Sequence, residues 1–182
     1  MINNKTIIAH TKNWIIDVVV GCNFCPFAAR EVKRNSIFFE VIEGDQPDVL
    51  RFLKESLEKM DDDQAIETMF LILPHQFNSF DTYLDLVDAA ERHLKKYGYE
   101  GIYQVASFHP DYIFSGSEPN DAANYTNRSP YPMLHILREE SVSRVIDGHP
   151  DTLMIPDNNV AFARGKGIEY MQRLRAACMD HE

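Results

Sequence analysis

Residues 68–73 read TMFLIL, a short apolar run with no polar interruption after Thr68. A strand with one wet face would alternate, so a continuous run of this length fits a strand covered on both faces. Pro74 ends it. Working outward, residues 36–42 (SIFFEVI) and 102–108 (IYQVASF) read as two further strands. The segments around them have helical spacing. Asp45 is placed to cap a helix that turns Val49, Leu53, Leu57 and Met60 inward. Another helix carries Phe80, Leu84, Val87 and Leu94 on its core face and closes on Gly98. Residues Thr6 to Val20 put Ile7, Thr11, Trp14, Ile15, Val18 and Val19 on one face, with Gly21 as the stop. Helices are also expected from Ser129-Pro130 to about Ile146, and from Asp157 to about Ala177, where Gly165 and Gly167 weaken the pattern.

Strands alternating with helices build β-α-β units. The expected fold is therefore α/β: a single three-layer α/β/α domain over 1–182, with a short, mostly parallel sheet of about three or more strands. A ferredoxin-like α+β arrangement is the competitor. In open sheets of this kind, ligands sit beyond the carboxyl ends of the strands, where His75 and the His109-Pro110-Asp111 turn fall.

The composition bounds the function. The 182 residues suit one domain, and 45% hydrophobic with 25% charged residues is ordinary for a globular chain. A formal net charge of −10 argues against general nucleic-acid binding and against an anionic membrane surface. Basic residues cluster locally in REVKR and RGK…RLR, which leaves room for a small anionic ligand. Neither a signal peptide nor a membrane span is read from the sequence, and the three cysteines do not suggest a disulfide framework. The expected setting is cytoplasmic, with no cofactor.

Two segments carry candidate chemistry. The first is GCNFCPFAAREVKR, residues 21–34. Pro26 suits the first position of a short helix, which would make Cys25 its cap, lower the thiol pKa and enrich the thiolate. If that helix packs antiparallel to the strand it feeds, Cys25 approaches the edge carrying His109. Other readings of Cys22 and Cys25 are a pair of small buried hydrophobes, a redox pair, or part of a zinc or iron site. A redox pair normally follows a strand, whereas here a helix precedes it.

The second segment runs from His109 to Pro130, longer than most loops and bounded by ordered elements. His109 reads as a general base and Asp111 as its orienting acid. Asn127 could polarise an oxyanion, and Arg128 could clamp a carboxylate or phosphate. Ser129 would cap the following helix, whose free N–H groups favour an anion. His135 and Arg138, three apart, would share a face of that helix, with Tyr112 completing a ligand-binding wall. Each also has a plainer reading: a packing histidine, an Asx turn at Asp111, or an arginine tying the loop down through carbonyls. The glycines of RGKG do not match a phosphate-binding loop.

NFCPFA (23–28), YQVASFHPDYIFSG (103–116) and NYTNRSPYPMLHILRE (124–139) resemble the signature blocks of an uncharacterised bacterial family. This is the Domain of Unknown Function numbered fourteen-fifteen. The resemblance covers essentially the whole chain and implies a cytoplasmic, single-domain protein with no established reaction. It also implies that the Cys25 position belongs to the pattern while the Cys22 position is often aliphatic, which favours a single thiol over a pair. From the residues, the leading expectation is a thiol-dependent hydrolase or transferase acting on an anionic small molecule, with Cys25 as nucleophile. The alternative is a non-catalytic protein that binds a small anion or a metal, the metal ligands being Cys25, His109, Asp111 and His135.

Overall fold

The computed structural model describes residues 2–148 and 154–180, so the ends of the expected 1–182 domain lie outside the described residues. The TMFLIL run is an interior strand, β2 (Thr68–Ile72), and every residue of it is buried. Met69 and Leu71, with Leu73 just beyond, enter the core beneath α3 (Gln46–Asp62) and α4 (Phe80–Lys96). Phe70 and Ile72 enter a second core beneath α1 (Asn4–Trp14). Burying one such side chain contributes about 1.5–3 kcal/mol relative to exposing it. The doubly covered strand is therefore the hydrophobic axis of an α/β fold with helices on both faces.

The sheet order is β1-β2-β4-β3, with β1 at Ile37–Val41, β3 at Tyr103–Phe108 and β4 at Met133–Arg138. β1 pairs parallel with β2, while β4 runs antiparallel to both β2 and β3. Three strands thus point one way, and one reversed strand is wedged among them. β4 is the main departure from expectation, because residues 133–138 were read as helix. Leu134 and Ile136 join one core and Met133 joins the other, a period of two that belongs to a strand. Ser129 is fully buried and donates its hydroxyl to Tyr131 O (2.6 Å), so it caps no helix. The helix begins only at α5 (Glu139–Gly148).

α3 follows the sequence closely. Asp45 accepts from the Asp48 N–H at 3.2 Å, and Asp48 reciprocates to the Asp45 N–H at 3.3 Å. Val49, Leu53, Leu57 and Met60 are all shut off from solvent. In α4 the inward face is Tyr83, Leu86, Val87, Ala90 and Leu94, and Leu84 is exposed, one position round the helix from Tyr83. Gly98 closes α4 with a φ of +78°. The expected C-terminal helix divides at Gly167 into α6 (Ile155–Lys166) and α7 (Ile168–Ala177).

α1 does not stop at Trp14 but widens into a π-helical segment, Ile15–Val20, that ends at Gly21. The wider coil brings the Asp17 carbonyl oxygen against the Gly21 Cα, and a Cβ there would overlap that oxygen. Gly21 is needed for close approach, since its φ of −60° is open to any residue. Gly21→Ala should cost about 1–3 kcal/mol of unfolding free energy, because the obstruction is backbone and cannot turn aside. Urea denaturation checks this, and an unchanged midpoint would contradict the π-turn geometry.

Candidate functional site

The expected site is the loop beyond the carboxyl end of β3. Phe108 and Met133 are the last register pair between β3 and β4, so residues 109–132 form the connection between two adjacent strands. Tyr83, buried on α4, closes its base by accepting from the Phe108 N–H (2.9 Å) and donating to Met133 O (2.7 Å). Burial raises the Tyr83 pKa far above its ordinary value, so the hydroxyl keeps its proton.

His109 follows directly and is only 1% exposed. Its Nδ1 accepts from the Asp111 N–H (3.0 Å), which leaves Nε2 to carry the proton it donates to Phe77 O (2.9 Å). Phe77 adopts a φ of +57°, a left-handed conformation for a non-glycine residue. The ring packs on Tyr83 and Phe80 at centroid distances of 4.9 and 5.3 Å. Burial lowers its pKa. Both nitrogens of the expected general base are therefore occupied by backbone groups.

The rest of the loop is held by its own polar side chains. Asn127 donates to Ser107 O (3.1 Å), and its carbonyl receives the His109 N–H (3.2 Å). Asn124, fully buried, receives the Phe114 N–H and donates to Glu118 O. Asp121 caps a 3-10 turn, Ala122–Thr126, and takes a two-point ion pair from Arg164 on α6. Arg128 donates to Tyr112 O (3.0 Å) and Pro119 O (2.8 Å) while its own carbonyl receives the Trp14 indole N–H (3.2 Å). This is the plainer reading of Arg128, an arginine that ties the loop through carbonyls. Tyr112 packs its ring between Phe80 and Phe114.

Other expected site residues lie elsewhere. Arg138 pairs with Tyr103 at the opposite end of β3, about 17 Å from Phe108 by strand rise. There it stacks over Tyr103 and donates to Met60 O and Ile66 O, completing the C-terminal end of α3. His135 projects from the other face of β4, since three residues along a strand reverse the side. It stacks on Phe70 at 3.9 Å. Thr68 gives its one hydroxyl proton to Ile136 O, so His135 Nε2, 2.5 Å from Thr68 Oγ1, donates to the Thr68 hydroxyl oxygen. Loss of solvation pushes the His135 pKa down to about 3. Among the described residues, no group of three or more His, Cys, Asp or Glu side chains is disposed to hold a metal ion. The Cys25, His109, Asp111, His135 set does not gather.

Cys25 is not a helix cap. α2 starts at Ala28 with Phe27 before it, and only the Cys25 carbonyl contributes, accepting the Ala28 N–H (3.1 Å). Among the described residues, no hydrogen bond links Cys25 to His109, Asp111, Arg128 or His135. Its loop instead meets α6, where Asn159 donates to Phe24 O (2.8 Å) and Phe24 packs edge-on to Phe162. Cys22 and Cys178 are buried and all three thiols are free.

One residue escaped the sequence reading. Arg175 on α7 lies over Tyr125 at 5.5 Å, the same ring that carries Arg128 at 4.8 Å. It donates to Pro110 O (2.6 Å), while its Nε is shielded from solvent with no partner. Burial lowers its pKa, the nearby Tyr125 and Asp111 oppose this, and Arg128 adds to it. The sequence offered one hint, the basic cluster RGK…RLR, but nothing to say which face of the helix would reach the loop.

Fold and site together define an α/β domain whose β3–β4 loop is braced by two C-terminal helices and carries a pair of arginines on one tyrosine. The chain belongs to the family described as "Protein of unknown function (DUF1415)", whose model matches residues 6–173. No curated protein and no solved structure matches it. Among the described residues, no helix is long and apolar enough to cross a membrane.

Two consequences can be measured. Tyr83→Phe strands a buried N–H and a buried C=O together, and should cost about 2–4 kcal/mol in denaturant unfolding; a loss below about 1 kcal/mol would contradict the bridge. The depressed pKa values of His109 and His135 mean that the unfolded chain binds protons near pH 6.5 while the folded chain does not. Their contribution is complete above that pH and is lost as pH falls, by up to about 1.4 kcal/mol per unit for each histidine. Unfolding free energies measured between about pH 7.5 and pH 5 should fall accordingly, and His135→Phe should remove about one proton from the slope. A flat wild-type profile would show that these rings are not held neutral.

Proposed function

We propose that the protein binds a small anionic ligand, through a carboxylate or phosphate group, at Arg128 and Arg175, and that this binding is non-catalytic. One observation carries the reading. Two guanidiniums gather on the Tyr125 ring, and among the described residues neither has a carboxylate within ion-pairing distance. Among the described residues both bond only to backbone carbonyls. A guanidinium offers five donors, so each retains unused N–H groups, and the Arg175 Nε is one of them. Arginine forks suit carboxylate and phosphate oxygens, and partial burial strengthens such contacts. The thiol-dependent hydrolase or transferase has less support, because His109 has no free nitrogen for Cys25. A cytoplasmic setting belongs to the same proposal and draws support from the three free thiols.

Titration calorimetry with inorganic phosphate and with acetate tests the proposal. Arg175→Gln should weaken binding about tenfold to a hundredfold, the range of a charge-assisted hydrogen bond, with an unchanged circular dichroism spectrum. Asp111, exposed and electrostatically opposed to an incoming anion, should weaken binding by its presence, so Asp111→Asn should tighten it severalfold. A purely structural arginine pair predicts no binding in the wild type and no gain from Asp111→Asn.

A further inference from the structure

A cavity of about 460 Å³ opens on the other side of the same 3-10 turn, between the loop and α6. Its volume lies within the range of small-molecule sites. Phe114 and Val160 give it an apolar wall, and both are only partly covered by other residues. Its polar groups are mostly acceptors. Asn159 uses its amide nitrogen on Phe24 O, which fixes the amide orientation and leaves its Oδ1 without a partner among the described residues. The Asp157 carboxylate makes no hydrogen bond or ion pair among the described residues, and the Ser117 hydroxyl is equally unengaged. Among the described residues the one cation in the lining, Arg164, is neutralised by its two-point pair with Asp121. Among the described lining residues the one side-chain charge left uncompensated is therefore the Asp157 carboxylate, in a chain of net charge −10.

We infer that this cavity is a binding site for a small organic cation, a primary amine or diamine with a short apolar body. The alkyl part lies against Phe114 and Val160, where an ammonium group also gains from the ring face. One ammonium donates to Asp157, and in a diamine the second reaches the Asn159 Oδ1, two residues further round α6. The site is separate from the arginine pair, because Tyr125 carries the guanidiniums whereas Thr126 and Asn127 line the cavity. Arg164 plays a positioning part only, holding α6 to the turn through Asp121.

The test uses the full chain carrying Arg175→Gln, so that butyrate does not report the anion site, and four probes of similar size: n-butylamine, putrescine, 1-butanol and butyrate, titrated at matched ionic strength by calorimetry. The amines should bind about tenfold more tightly than the alcohol or the acid. Val160→Trp, which fills the cavity, should abolish amine binding. Asp157→Asn, at an exposed position that leaves folding intact, should weaken it about fivefold. Restoring Arg175 should leave it unchanged, which separates this site from the anion site. Equal binding of amine and butyrate, amine binding that survives both Val160→Trp and Asp157→Asn, or no amine binding at all would each overturn the inference.

Discussion

A single hydroxyl group fixes the geometry of the whole loop. The Tyr83 oxygen sits between the last residues of β3 and β4, taking the Phe108 N–H and giving its proton to Met133 O. Those two backbone groups are buried at the mouth of a long connection, where no further ladder bond can reach them. Left unpaired, each would cost about 1–3 kcal/mol. By bridging them, an α4 side chain sets where the sheet ends and where His109 begins. His109 repeats the device one residue later, joining the turn after β2, through Phe77 O, to the start of the loop, through the Asp111 N–H. Two α4 aromatics, Tyr83 and Phe80, then pack on its ring. The loop is long, yet its root is as rigid as the core beneath it.

That rigidity explains how chemistry-bearing residue types come to do structural work here. A buried backbone carbonyl needs a donor, and a histidine or an arginine supplies one as readily as a water would. Phe77, Tyr112 and Pro110 each present such a carbonyl, partly buried, and His109, Arg128 and Arg175 answer them, Arg128 reaching the exposed Pro119 O as well. The two residue types differ in what is left over. Imidazole has two nitrogens and both are used, so His109 has nothing further to offer. Guanidinium has five N–H bonds and uses only one or two, so the arginines keep capacity after bracing the loop. Residual donor capacity, rather than residue type, is what singles out the arginine pair.

Much of the frame could be read from the sequence because local and tertiary preferences agree there. TMFLIL is apolar on both faces because both faces are covered, and Asp45 begins α3 with the reciprocal cap its neighbour Asp48 completes. The reading failed where one pattern fits two structures. Ser129-Pro130-Tyr131-Pro132 is a good helix start, and Met133, Leu134, Ile136 and Leu137 fit a helical stripe as well as a doubly buried strand. What decides for the strand is the open hydrogen-bonding edge offered by β2 and β3, which no local pattern reports. The same ambiguity misplaced Arg138 and His135, since residues three apart share a helix face but oppose each other on a strand. The loop's place at the end of β3 was legible from the polar run after a buried strand. The partner of Arg128 was not, because Arg175 is distant in sequence and meets Tyr125 only through the packing of α7.

The 3-10 turn Ala122–Thr126 links the proposed sites physically. Tyr125 carries the two arginines, while its neighbours Thr126 and Asn127 line the cavity. The turn is held from outside by α6, through Arg164 on Asp121, and by α7, through Arg175 over the Tyr125 ring. If both proposed sites fill, each ligand would order the same turn, and occupancy of one would favour the other by the same factor in both directions. Charge acts in the same sense, since an anion over the arginines and a cation beside Asp157 attract across the turn. A molecule with an ammonium at one end and an acidic group at the other would gain from both only if it spanned the turn. Two separate ligands need no such reach, and the intervening Tyr125, buried to 4% exposure, stands between the two sites as a wall. With Tyr125 intervening, the proposed sites would suit two small ions better than one extended zwitterion.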